Sequence, residues 1–150
     1  MIYREQALDE IYERIKSEYV ALGVKTFRRT PTTPIGKDEM PCIFMTEDVD
    51  NIVEHSRRSS TGYPAKRILE LVIELVVSKE TNIKQLYYDL RRVIFKEIDS
   101  DPPVYNPVLA KNAFINENRT EGPNGYGVQD IVGMRLVLDL VYTDEAFKEV

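Results

Sequence analysis

Glu70 and Glu74 stand four residues apart in RILELVIELVVSKE (67–80), and two carboxylates on one segment are the simplest acid and base a chain can offer. In an extended strand that spacing spans roughly 13 Å, beyond the roughly 5 to 9.5 Å that separates the carboxyl groups of glycoside hydrolases. The pair is therefore no acid/base couple of that kind. A metal-dependent nuclease would need an acid on one strand and an acid-x-Lys on the next, but Glu74 is followed by Leu75 and Val76. Glu47, Asp48 and Asp50 can gather around a hard cation, yet they lack the twelve-residue ligand spacing and terminal Glu of a calcium loop. No metal is expected.

His55 with Ser56, Ser59 and Ser60 offers a base beside hydroxyls, without the G-x-S-x-G turn that would expose a nucleophile. It reads as a polar residue at the end of a strand. Cys42 is the single cysteine and His55 the single histidine, so one chain holds neither a disulfide framework nor a zinc knuckle. GPNGYG (122–127) precedes a strand rather than opening a helix, and neither a dinucleotide fingerprint nor a phosphate-cradling loop is present. The glycines there read as a turn, and no cofactor is expected.

Twenty Lys and Arg against 25 Asp and Glu give a net charge of -5, which provides no general attraction to nucleic acid or anionic membrane. The cations cluster locally: Lys25, Arg28 and Arg29, then Arg57 and Arg58, then Arg91, Arg92 and Lys96. No aromatic residues interleave them in the manner of base-stacking proteins. They suit acidic protein surfaces or solvated faces. The opening MIYREQALDE is acidic and amphipathic rather than a secretory signal, and no apolar run reaches the roughly 20 residues that span a bilayer. A soluble chain without membrane contact, intracellular while it is made, is expected.

The elements that must carry these residues follow from periodicity. Tyr3, Ala7, Leu8, Ile11, Ile15 and Tyr19 recur at helical spacing, and Gly23 closes that stretch. Residues 25–41 hold three prolines and read as an irregular excursion. Cys42 to Met45 form a short strand, the acidic stretch with Glu47, Asp48 and Asp50 a loop, and Asn51 to Ser56 a second strand that contains Glu54. HSRRSSTG, from His55 to Gly62, is an exposed loop. Leu69, Leu71, Ile73, Leu75 and Val77 then alternate with Glu70, Val72, Glu74 and Val76, so one face of this strand meets a core and the other is half apolar. Glu74 among valines requires a partner, which a neighbouring subunit would supply. Asn82 caps a helix with the stripe Ile83, Leu86, Tyr87, Leu90, Val93, Ile94 and Ile98, and SDPP stops it. Ala113 to Arg119 form a weak strand, and Met134 to Tyr142 a long one that pairs antiparallel with 68–78. The expectation is one domain over 1–150, α+β in class: a mainly antiparallel sheet with two helices packed on one face and long loop excursions.

That order of elements resembles the tail terminator proteins of long-tailed bacteriophages, also called minor tail or tail completion proteins. The resemblance rests on the opening helix, the MPCIFM strand after a proline-rich excursion, YPAKRILELVIELVV entered from a polar loop, TNIKQLYYDLRRVIFKEI ending in SDP, and the closing GMRLVLDLVYTD. It implies a cyclic hexamer of identical subunits that caps the tail tube, ends its polymerisation and offers a docking surface to the head-proximal connector or stopper. DNA would pass through the lumen unread, and the protein would sit at the head-tail junction after assembly in the host cytoplasm. The family has no catalytic residues, and an acidic lining would not grip phosphates. On this reading Arg28, Arg29, Arg57 and Arg58 are interface cations facing Glu47, Asp48, Asp50 or Glu54 of an adjacent chain. The alternatives are a head-to-tail adaptor or stopper of the phage neck, a small metal-dependent nuclease, and a cellular protein that uses the same sheet as a regulatory binding module.

Overall fold

The computed structural model describes residues 3–29, 36–54, 66–79, 81–97, 105–109, 113–125 and 130–143. Helix α1 (Tyr3–Lys16) leads into strand β1 (Thr26–Arg29), a short 3-10 turn at Lys37–Glu39 and strand β2 (Cys42–Glu54). Strand β3 (Lys66–Ser78), helix α2 (Ile83–Ile94), strand β4 (Phe114–Gly125) and strand β5 (Ile131–Thr143) complete the order. The five strands lie as β1-β2-β3-β5-β4, antiparallel except for the β1/β2 pair. The fold is therefore the α+β class read from periodicity.

The core sits between the helices and one face of this sheet. Leu69, Leu71, Ile73, Leu75 and Val77 of β3, with Leu136, Leu138 and Leu140 of β5, meet Ala7, Leu8, Ile11 and Ile15 of α1 and Leu86, Leu90 and Ile94 of α2. The alternating residues of β3 and the helical stripes of α1 and α2 thus bury the side chains that their periods select. β3 and β5 pair along their whole length, Lys66 opposite Thr143 through Ser78 opposite Ile131, as expected for two long neighbours.

Four boundaries differ from the sequence reading: α2 ends at Ile94, closed by a left-handed turn at Lys96 ahead of the expected stop at SDPP, and three strand boundaries differ as well. The excursion 25–41 contains β1, whose Phe27 stacks on Tyr12 at 5.0 Å and approaches Tyr19, so a four-residue edge is fixed by aromatic packing instead of by its own periodicity. The two short strands flanking an acidic loop are one strand, β2, interrupted by an irregularity between Glu47 and Asp50. The weak strand after Ala113 runs to Gly125, so β4 absorbs most of the glycine-rich turn, with shifts at Glu117/Arg119 and Glu121/Asn124 breaking the alternation that a sequence pattern would show. The loop 55–63, with His55, Arg57 and Arg58, lies outside the described residues.

Both ends of α2 are closed by local chemistry. The Asn82 side chain accepts from the Gln85 amide at 3.2 Å, as expected of the cap. At the other end the Lys96 amide donates to the Val93 carbonyl and the Glu97 amide to the Arg92 carbonyl, with Lys96 itself at φ 47°. This double closure favours glycine at the left-handed position, because a Cβ there crowds the backbone. Lys96→Gly is expected to raise unfolding stability by about 0.5–1 kcal/mol in urea titration.

Candidate interaction surface

Residues opposite one another in a sheet share a face, which assigns every charged side chain of the strands to the helix side or the open side. On the helix side, Glu47 lies opposite Leu71 and Asp50 opposite Leu69, both core leucines. Three steps along β2 match two along β3, so one residue is inserted, and the bulge turns both acids toward α1. Regular alternation would have sent Asp50 to the other face. Arg4 of α1 meets both acids, at 2.8 Å to Glu47 and 3.2 Å to Asp50, and the Tyr142 hydroxyl of β5 donates to Asp50. Arg29 of β1 reaches Glu47 at 2.7 Å, Asp9 at 3.2 Å and Glu5 at 3.4 Å. Edge strand β1, helix α1 and strands β2 and β5 are thereby tied by one charged cluster.

Burial pushes the Glu47 carboxyl up, but hydrogen bonds from Arg29 and Arg4 outweigh it and hold the group below its ordinary range. For Tyr142, burial and then the bond to Asp50 both favour the neutral phenol, so its value is raised. Asp50 Oδ1 and Arg4 Nε are buried without a hydrogen-bond partner, so the cluster is not fully satisfied.

The open face of the sheet carries a second network. Glu74 of β3 lies opposite Arg135 of β5, which donates to it at 2.8 Å. Arg119 of β4 spans β5 to reach Glu70 at 3.2 Å and also pairs with Glu121 at 2.9 Å. Val137 stands between Val72 on one neighbour and Arg119 on the other, yet it is only 1% exposed. The long stem of Arg119, laid across the strand, accounts for that cover. The half-apolar face read from sequence is real, and the partner Glu74 requires is Arg135 of the same chain rather than a neighbouring subunit. At the β2 end of this face Met40, Cys42 and Val76 form a small satellite core with Phe44 and Ile131, and burial pushes the Cys42 thiol up to about 11. It is a packed thiol, not a nucleophile.

The structure brings Arg29, Glu47 and Asp50 together within one chain. Arg28 lies on the open side of β1 and pairs with Glu39 at 2.9 Å. Asp48, within the bulge, is exposed; the Glu54 side chain, Arg57 and Arg58 lie outside the described residues. Four arginines that organise the molecule were missed by sequence reasoning: Arg4, Arg14, Arg119 and Arg135. Arg14 had a signal, since it falls seven residues after Ala7 on the buried stripe of α1. Its guanidinium donates to the carbonyls of Ile94 at 2.8 Å, Asn106 at 3.0 Å and Val108 at 3.2 Å. Burial pushes its value down, against the opposing pull of Glu10.

A cleft of about 500 Å³ lies beside Arg14 between the ends of the helices, lined also by Glu18, Asp89, Arg92, Lys96 and Glu97. Its cations and anions are mixed, and Arg92 pairs with Glu97 at 3.2 Å. Among the described residues no group of three His, Cys, Asp or Glu side chains is placed to hold a metal. No described helix is long and apolar enough to cross a membrane.

No family model matches the chain, and no curated protein matches it. Among solved structures, a chain from the virion of a native gene transfer agent (GTA) particle is similar, with 12% identity and a TM-score of 0.49 over 90% of this chain and 92% of that one. At that level the similarity does not carry a role from one chain to the other.

Proposed function

We propose that the protein is a structural component of a phage-type virion, a ring-forming tail terminator that caps the tail tube and receives the head connector. The observation that carries this reading is the order of elements itself. The opening helix, the MPCIFM strand, long β3, helix α2 and closing β5 follow in the order on which the sequence resemblance rests. The charge networks support it as well: described carboxylates that could have served chemistry, Glu47, Asp50, Glu70 and Glu74, are each engaged by an arginine that fixes shape. DNA would pass an acidic chain without being held.

Within a hexamer, Arg28, Arg57 and Arg58 remain proposed interface cations, with Asp48 and Glu54 as their acidic counterparts. Arg29, Glu47 and Asp50 contribute by holding β1 and the bulge in place. The second reading, a neck adaptor or stopper, uses the same surfaces and differs in what they dock.

Removing the gene in its source particle separates the two while immunogold labelling locates the protein. A terminator is expected to leave overlong tails without heads, with gold on wild-type particles at the head-tail junction. Tails of normal length that fail to join heads would assign the neck role instead. Unlabelled particles and unchanged tails would remove both.

A further inference from the structure

The two lateral ends of the sheet are unlike. At the β4 end, α2 presents Lys84, Tyr88 and Arg91, spaced four and three residues apart on one outward ridge, with Tyr105 beside them. Tyr88 is 58% exposed and Tyr105 44%. Arg91 is held against the sheet, its guanidinium 2.7 Å from Glu117 of β4, 5.9 Å from the Phe95 ring and 6.0 Å from the Tyr105 ring. Fixed Arg and Tyr side chains at a surface, with few rotamers left to freeze, are the composition of interface anchors.

At the β1 end, α1 turns Glu5 and Asp9 outward, with side chains 41% and 48% exposed beside Arg29. Below them the β2 bulge, past the end of β1, exposes Asp48 and the apolar Val49, which is 51% exposed. With Arg91 paired to Glu117 and both Glu5 and Asp9 paired to Arg29, one end offers Lys84 beside exposed tyrosines and the other offers Asp48 beside a valine.

We propose that these ends meet in trans: the α2 ridge of one copy docks on the α1/bulge edge of the next. Lys84 would face Asp48 or Asp9, and Tyr88 would cover Val49. The occupant is a second copy of this chain because the matching charge lies on the same molecule at its opposite end, where unlike-to-unlike contact repeats from copy to copy. Such a heterologous interface closes into a ring when the rotation allows. The inference rests on the self-assembling reading above and names the surfaces that reading needs. It reassigns the acidic bulge from loop arginines to helix cations.

Cross-linking tests the pairing. Tyr88→Cys and Val49→Cys, which leave Lys84 and Asp48 in place, are treated alone and combined with a short bis-maleimide, with wild type as control because Cys42 is buried. A head-to-tail contact gives a ladder of covalent multimers only in the double variant, since neither single variant places two new thiols together. Adding Lys84→Glu to the double variant is expected to cut ladder yield about tenfold. No ladder from the folded double variant overturns the contact. Light scattering on wild type then separates the failures: a mass above the monomer without a ladder leaves ring assembly standing through other surfaces. A monomer without a ladder removes self-association of the free protein too, and the tail phenotype alone then decides the ring reading.

Discussion

Arg14→Met is expected to destabilise the protein by about 3–5 kcal/mol in urea titration at neutral pH, because it removes a buried cation from three carbonyl acceptors. Methionine keeps most of the apolar stem, so little of the loss arises from a cavity. What disappears is the guanidinium that closes the C-terminal carbonyl of α2 at Ile94 and simultaneously holds Asn106 and Val108. The site is also a favourable place for a cation, at the negative end of a helix dipole. With whole-domain stabilities of roughly 5–15 kcal/mol, the variant is expected to be partly unfolded at 37 °C. Hydrogen exchange provides the local readout. Amides of the last turn of α2 and of 105–109, including Asn106, which donates to the Phe95 carbonyl, should lose protection first. Arg14→Lys is expected to recover only part of the loss, since one ammonium cannot match the spread of the guanidinium fork. A loss below about 1 kcal/mol for Arg14→Met would show that the two helices and the 105–109 segment are held by apolar packing alone.

Arg14 also shows what periodicity can and cannot reveal. The stripe of α1, the alternation of β3 and β5 and the stripe of α2 each follow from apolar spacing, and together they fix the α+β architecture and its central antiparallel pair. An arginine on a buried stripe contradicts the pattern, and such a contradiction is itself a sign of a tether, since a buried guanidinium needs carbonyls or carboxylates around it. β1 was illegible because its four residues are placed by contact with α1 and β2. β2 was misread as two strands because a bulge inserts a residue and shifts the alternation, turning an acidic run into an apparent loop. β4 lost its signal for the same reason, twice. The partner of Glu74 was within reach of sequence reasoning: once β3 and β5 are paired antiparallel, the register sets Arg135 directly across from it. The cluster around Glu47 was not within reach, because it draws on α1, β1, the bulge and the end of β5, segments separated by more than 90 residues between Asp50 and Tyr142.

That cluster makes stability depend on pH with a definite sign. The Glu47 carboxyl is depressed in the folded protein, since arginine hydrogen bonds outweigh its burial, whereas an unfolded glutamate titrates near about 4.3. Its contribution is therefore fully present above that unfolded value and is lost as pH falls through the lower folded value. Glu47→Gln is expected to cost about 2 kcal/mol at pH 7, because the amide keeps one acceptor oxygen but no charge to share between Arg4 and Arg29. Lowering the pH should then narrow the gap between wild type and variant from about pH 5 downward, until both carry a neutral side chain at this position. The other carboxylates titrate in both proteins, so the difference between the two stability curves isolates this group. Tyr142 acts from the other side: its raised value means a contribution present below the ordinary phenol range of about 10 and lost above it. A gap that stays constant from pH 7 to pH 3 would mean that Glu47 is valued for its shape rather than its charge. The bulge would then be held by its backbone pairing, and Arg29 would tie β1 to α1 through Glu5 and Asp9 alone.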